Sequence, residues 1–428
     1  MDQNAAKIEI RHASKVFGRE ERLALDLLDK GLSKSEVQKR TGVVVGIHDI
    51  SLNILAGEIF VIMGLSGSGK STLLRLINRL HEASRGSILV DGVDVTKMKA
   101  SELRALRRRA FGMVFQNFGL LPQRTVLGNV EFGLEIQGIP RSQRRERAQE
   151  VIETVGLQGY EQRYAAELSG GMQQRVGLAR ALAADPEILL MDEAFSALDP
   201  IIRSQLQDDL LEIQDRLNKT IVFVSHDLDE ALKLGNRIAI LRDGRLIQVG
   251  NPQEILSHPA DEYVSTFVEG ADRSKVLTAR EVMQNVRTAA NPKDSPRVVL
   301  RKMERSGFGG LMVIDNGRRL HGYIDLSAVR SQREKEQLST DLFRPIPTAD
   351  ANAKLVDLIQ IITDKGSPVA VIDARQRVIG VVDKSTILAA LAQNDDGPTV
   401  EENHADPTPA VAMASVPASQ AESSASGS

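Results

Sequence analysis

Glu58–Leu80, EIFVIMGLSGSGKSTLLRLINRL, decides the fold. The apolar run Ile59–Met63 reads as a buried strand, and apolar residues return at helical spacing from Thr72 to Leu80. Between them Gly64–Ser71 fits G-x-x-x-x-G-K-[ST] in the strand–loop–helix setting that the motif requires. Glycines let the backbone curl until successive N–H groups point inward at phosphate oxygens. A helix starting near Lys70 adds the positive end of its dipole. Lys70 is expected to neutralise the β- and γ-phosphates, and the Ser71 hydroxyl to ligate Mg²⁺.

Working outward, the chain before this loop reads as sheet. Residues 7–17, KIEIRHASKVF, alternate as an edge strand, and Val43–Leu55 returns to strand character. Gly18–Gly42 interrupts them with clustered leucines and Ser33-Lys-Ser-Glu36, a capping-box pattern that opens a short helix, so this stretch is a helical insertion. Past the loop, Ser87–Val90 reads as a strand and Ser101–Arg109 as a basic helix. Phe111–Phe118 reads as a strand that brings Gln116 to its end. Pro122–Glu167 is polar and helical. Leu168-Ser-Gly-Gly-Met-Gln-Gln-Arg175 then opens a helix whose Ser-Gly-Gly start is a second anion-binding candidate.

Two more apolar strands follow. Glu187–Met191 ends in Asp192-Glu193, and Thr220–Val224 ends in Ser225-His226-Asp227. Parallel strands deliver ligand-binding groups at their carboxyl ends, which favours a functional Asp192, Glu193 and His226. Asp192 suits Mg²⁺ through water, and Glu193 suits polarising an attacking water.

Composition bounds the partners. A chain of 428 residues allows two to three domains. Its 54 Lys+Arg against 57 Asp+Glu give a net charge of −3, which argues against a nucleic-acid-binding field. No cysteine is present, so disulfides and thiolate metal sites are excluded. MDQNAAKIEIRH has no apolar signal-peptide core, and no apolar run approaches the roughly 20 residues that span a bilayer. Any membrane role is expected to come through a partner.

GLSGSGKS, Gln116, LSGGMQQR, ILLMDE, SALD and His226 stand in the order found in ATP-binding cassette (ABC) ATPases, which the chain resembles from roughly residue 7 to 268. The resemblance implies a P-loop α/β cassette over 1–270: a RecA-like core, an antiparallel β subdomain, a helical subdomain at about 122–180, and the insertion at about 19–42. ATP would lie on Gly64, Ser66, Gly67, Ser68, Gly69, Lys70, Ser71 and Thr72, with adenine stacked on Phe17. Mg²⁺ would be held by Ser71, Gln116 and Asp192. Glu193 would be the catalytic base, His226 would clamp the γ-phosphate, and Gln116 would contact it. Ser169, Gly170, Gly171 and Asp199 would act at the ATP of a second subunit, making a homodimer. Asn117–Thr125 would pass its closure to a permease.

KVFG, GLSKSEVQKRTG, ILLMDEAFSALDP and TIVFVSHDLDEA further resemble the ATPase subunits of glycine betaine/proline (quaternary amine) importers, which carry a C-terminal pair of cystathionine-β-synthase (CBS) domains. Here Leu311–Asp315, Gly322 and Asp325 recur as Val369–Asp373, Gly380 and Asp383 at a constant offset, 373 − 315 = 58 and 383 − 325 = 58. Two copies of one α+β unit over 275–393 follow. CBS pairs that hold adenine nucleotides usually carry Ser/Thr three residues after that glycine and Asp three further on; here Asp325 then Ala328, and Asp383 then Thr386, stand in those places, which weighs against ribose binding there.

Counted over 275–390, 19 Lys+Arg against 13 Asp+Glu give 19 − 13 = +6, and an acidic Pro/Ala/Ser tail, 394–428, follows and is expected to be disordered. That layout predicts contact with anionic lipid and regulation by ionic strength. The expected location is the cytoplasmic face of the membrane, bound through the permease, with a substrate-binding protein as indirect partner. Alternatives are an importer ATPase for another amino acid or cationic solute, or a soluble cassette acting on nucleic acid or ribosomes. Soluble members of that kind usually fuse two cassettes or carry basic or coiled-coil insertions, whereas this chain has one cassette and a mildly acidic balance.

Overall fold

The computed structural model describes residues 6–392 apart from 308. The tail, 394–428, lies outside the described residues. The chain opens with β1 (Ala6–Phe17), then two helices, α1 (Glu21–Asp29) and α2 (Lys34–Thr41), then β2 (Val44–Leu55). The insertion is helical for the reason its sequence gives. Ser33 Oγ accepts from the Glu36 N–H while Glu36 accepts from the Ser33 N–H, and Gly42 closes α2 with φ 70°. Its inner face, Ala24, Leu25, Leu28 and Val37, is buried on Val16, Val43 and Val45, so it is docked rather than projecting.

The phosphate-loop strand β3 (Ile59–Met63) and helix α3 (Lys70–Ile77) follow, then β4 (Arg85–Val90) and β5 (Val93–Asp94). An antiparallel sheet runs β2-β1-β4-β5. This corrects the edge-strand expectation for residues 7–17, since β1 is paired on both sides. Alternation reports which face of a strand is buried. It carries no information on lateral neighbours, and β4, which covers the free side of β1, is about 70 residues downstream.

Next come α4 (Ala100–Ala110), β6 (Phe111–Phe115), α5 (Val126–Ile136), α6 (Arg141–Thr154), α7 (Gly170–Ala183), β7 (Ile188–Asp192), α8 (Pro200–Leu217), β8 (Thr220–Ser225), α9 (Leu228–Leu234), β9 (Arg237–Arg242) and β10 (Arg245–Gly250). Gln116–Phe118 lies past the end of β6, because Phe118 and Gly119 take φ 54° and 57° and turn the chain out of the sheet.

The second sheet runs β10-β9-β3-β8-β7-β6, parallel except for β10. Its central strands β3, β8 and β7 are buried on both faces, and alternate residues serve different cores. Phe60, Ile62, Leu190, Val222 and Val224 pack with α3 and the antiparallel sheet. Val61, Met63, Leu189, Met191, Ile221 and Phe223 pack with the helical subdomain α5–α7. Each such side chain contributes about 1.5–3 kcal/mol.

Helices α10 (Pro252–Ser257) and α11 (Glu262–Val268) finish the cassette. Beyond it lie α12 (Ala279–Val282), α13 (Pro296–Ser306), β11 (Gly310–Ile314), β12 (Leu320–Asp325), α14 (Leu326–Ser331), β13 (Thr348–Asp350), α15 (Leu355–Lys365), β14 (Val369–Ile372), β15 (Val378–Val382) and α16 (Lys384–Ala392). Each copy has its own core, the two share a small buried cluster of Met312, Ile346 and Ala370, and they also meet where the Val378 N–H donates to Arg318 O at 2.8 Å and Arg318 Nε donates to Val378 O at 2.9 Å. Asp325 and Asp383 are helix caps, each accepting at 2.8 Å, from the Ala328 and Thr386 N–H groups respectively.

Candidate active site

Strand register builds the site. In the parallel sheet Met63 pairs with Ser225, Val224 with Asp192, and Asp192 with Phe115. The residues that follow these strand ends, Gly64, His226, Glu193 and Gln116, therefore emerge on one edge. Lys70 is buried, and its Nζ donates to Gly64 O at 2.8 Å and Leu65 O at 3.1 Å. Burial lowers its pKa, opposed by the charges of Glu193 and Asp192. Ser71 Oγ donates to Asp192 Oδ1 at 2.7 Å, and Arg75 Nη2 lies 3.1 Å from the other carboxylate oxygen.

Glu193 stands at the centre. Its Oε1 is 3.8 Å from Lys70 Nζ and its Oε2 is 3.4 Å from His226 Nδ1. Gln116 Nε2 donates to Ser196 Oγ at 3.1 Å and is 3.5 Å from Glu193 Oε2. A cavity of about 360 Å³ opens over this cluster, lined by Phe17, Ser66, Gly67, Gly69, Lys70, Ser71, Thr72 and Glu193. Phe17 forms one wall at 36% exposure, with His81 edge-on at 5.3 Å and Lys15 Nζ 5.0 Å from its ring centre. The docked insertion leaves that aromatic beside the loop.

Ser169, Gly170, Gly171 and Asp199 do not line this cavity. Ser169 caps α7, accepting from the Met172 N–H, and is exposed. Asp199 caps α8, accepting from the Ile202 N–H at 3.1 Å. Beside it Ile201 is 79% exposed.

Three residues escaped sequence reasoning. Arg75 follows Ser71 by one helical turn, a spacing that could have flagged it. Arg203 Nη2 donates to Leu198 O at 3.1 Å while its Nη1 pairs with Asp227 at 3.1 Å, tying the segment before Asp199 to the one after His226. Glu230 is buried beside Ser225 and Gln207, and burial raises its pKa against their hydrogen bonds. The last two depend on tertiary neighbours, and no local pattern marks them.

A model of the ABC transporter family matches residues 47–196, and one of the CBS domain matches 279–334 and 340–393. The chain belongs to the ABC transporter family, as an ATP-binding, ATP-hydrolysing subunit with a CBS pair. It is 45% identical over 397 residues to the glycine betaine transport ATP-binding protein OpuAA of Bacillus subtilis (strain 168), covering 92% of this chain and 95% of that protein. It is also 45% identical over 391 residues to the glycine betaine/proline betaine transport system ATP-binding protein ProV of Escherichia coli (strain K12), covering 90% and 98%. Among solved structures it is similar to cbiO1 from Clostridium perfringens, part of the ABC transporter complex cbiONQ. That match has a TM-score of 0.50 and 25% identity, over 61% of this chain and 94% of that one. Among the described residues no helix is long and apolar enough to cross a membrane.

Proposed function

We propose that this chain energises import of osmoprotectants such as glycine betaine or proline betaine, as a homodimer bound to permease subunits at the cytoplasmic face of the membrane. The observation that carries the reading is the meeting of Lys70, Glu193 and His226 over one phosphate loop. The solute class rests on the relatives' names.

In the proposed reaction Phe17 stacks on adenine, while Lys70 and the loop N–H groups hold the phosphates. Glu193 takes a proton from water as the water oxygen attacks the γ-phosphorus in line, and the bond to the ADP oxygen breaks. His226 holds the γ-phosphate and orients Glu193. The Ser71 hydroxyl, Gln116 amide and Asp192 carboxylate are an oxygen donor set of the hard kind that Mg²⁺ takes. Bound there, the ion would neutralise charge on the β- and γ-phosphate oxygens. Ser169, Gly170, Gly171 and Asp199, exposed or away from this chain's own cavity, are assigned to the ATP of the second subunit. The +6 CBS module supports regulation by ionic strength through anionic lipid.

The test is uptake of labelled glycine betaine by proteoliposomes holding this chain and its permease, with ATP inside. ATP-dependent uptake that Glu193→Gln abolishes is expected. Vigorous hydrolysis with no betaine uptake, alongside uptake of another solute, would overturn the substrate assignment.

A further inference from the structure

The helical insertion reaches the back of the phosphate loop through one side chain. Lys34, the first residue of α2, extends its Nζ to donate to Gly46 O at 3.0 Å and to Gly67 O at 3.4 Å. The passage it uses is walled by glycine. A Cβ added at Gly244, in the β9–β10 turn, would meet Lys34 Cε at 2.6 Å, Lys34 Nζ at 2.8 Å and Gly46 O at 2.7 Å. Gly244 itself is bound into the same place. Its N–H donates to Ser68 O at 2.9 Å, and its carbonyl accepts from the His48 N–H at 2.7 Å.

Lys34 is half-buried and forms no ion pair within 4 Å among the described residues, and its ammonium donates to two backbone carbonyls. A long side chain gives up much rotamer freedom to lie in such a slot, which an ordinary solvated lysine does not do.

The far end of this contact is the ATP-holding lysine. The peptide whose carbonyl faces Lys34 carries the Ser68 N–H, which donates to Leu65 O at 3.2 Å. Leu65 O also accepts from Lys70 Nζ at 3.1 Å. Lys34 and Lys70 thus sit at two ends of one hydrogen-bonded turn, and polarising the peptide between them strengthens the bond that closes it. We propose that Lys34 is a positioning residue for nucleotide binding, by which the insertion pins the Leu65–Ser68 turn in the shape that presents its N–H groups to phosphate. The proposal rests on the assignment of ATP to this loop.

The test uses the full-length chain with Lys34→Met, which keeps the stem of the side chain and removes the cation. ATP dissociation constants, steady-state kinetics and thermal unfolding are compared with the unsubstituted chain. ATP binding should weaken by about threefold to tenfold, with the loss concentrated in KM rather than in kcat. The unfolding midpoint without nucleotide should hardly move. Lys34→Arg, which returns a cation and donors to the slot, should bind ATP more tightly than Lys34→Met.

Unchanged ATP affinity in Lys34→Met, or equal affinities in the two variants, would overturn the proposal. So would a lowered unfolding midpoint with unchanged affinity, which is the mark of a purely structural lysine. A fall in kcat as large as that in kcat/KM would also overturn it. Failure of the unsubstituted chain to bind ATP would instead remove the reading beneath it.

Discussion

Glu193 is held in left-handed backbone, φ 46°, with its N–H donating to Val224 O at 3.1 Å. A non-glycine residue there costs of order 1–3 kcal/mol, and that strain turns the chain sharply at the end of β7 so that the carboxylate faces Lys70 and His226. Glu193→Gln keeps the shape and removes the proposed base. Hydrolysis should fall by about 10²-fold or more while ATP binding persists, and near-normal turnover would remove Glu193 from the mechanism. Glu230 behaves differently. Burial raises its pKa above 4.5, with the bonds from Ser225 and Gln207 opposing the rise. A carboxylate favoured in its neutral form contributes most to stability below its ordinary pKa, and that contribution is lost as pH climbs through the raised value. Glu230→Gln should therefore unfold at a higher temperature than the parent at about pH 8, with the gap closing toward about pH 5. A gap independent of pH, measured by thermal melts, would show that Glu230 does not titrate in this way.

Elements were legible in the sequence where their signals are local. The phosphate loop, the α2 capping box and the carboxylates ending β7 are contiguous patterns, and the 58-residue offset exposes the duplicated unit. The lateral place of β1 was not legible, because pairing with β4 is a long-range choice. Lys34 was not legible either, because its partners are carbonyls of Gly46 and Gly67 brought up by other strands. For α7, the exposed cap Ser169 lies outside its own chain's cavity, and a second cassette is proposed to use it. Ser169→Arg and Lys70→Ala subunits should each be inactive alone. Mixed, they should recover one working site per heterodimer, the one whose loop and Ser-Gly-Gly segment are both intact. A mixture as inactive as its components would argue that each chain works on its own ATP.

For the whole molecule, the cassette and the CBS pair have distinct cores, and Val276 still packs in the cassette core. The pair of Lys275 with Asp229 at 3.0 Å is partly exposed and worth at most about 1 kcal/mol. A chain ending after Leu277 should thus keep a folded cassette. Each Lys or Arg near an anionic leaflet contributes about 1 kcal/mol, and the Debye length shrinks from about 30 Å at 0.01 M salt to about 10 Å at 0.1 M. The full transporter in anionic liposomes should be silent at low internal salt and active at high salt, whereas the version lacking 278–428 should be active at both. Retained salt dependence in the truncated version would locate the sensor in the permease. The alignment of Met63, Asp192, Phe115 and Ser225 along one sheet edge has a further consequence. Slipping β7 by a single residue would exchange its two buried faces and, in the same movement, carry Asp192 and Glu193 away from the phosphate loop. Loss of the fold and loss of the site are thus one event in this sheet, and a slipped molecule is expected to be inert and unstable together.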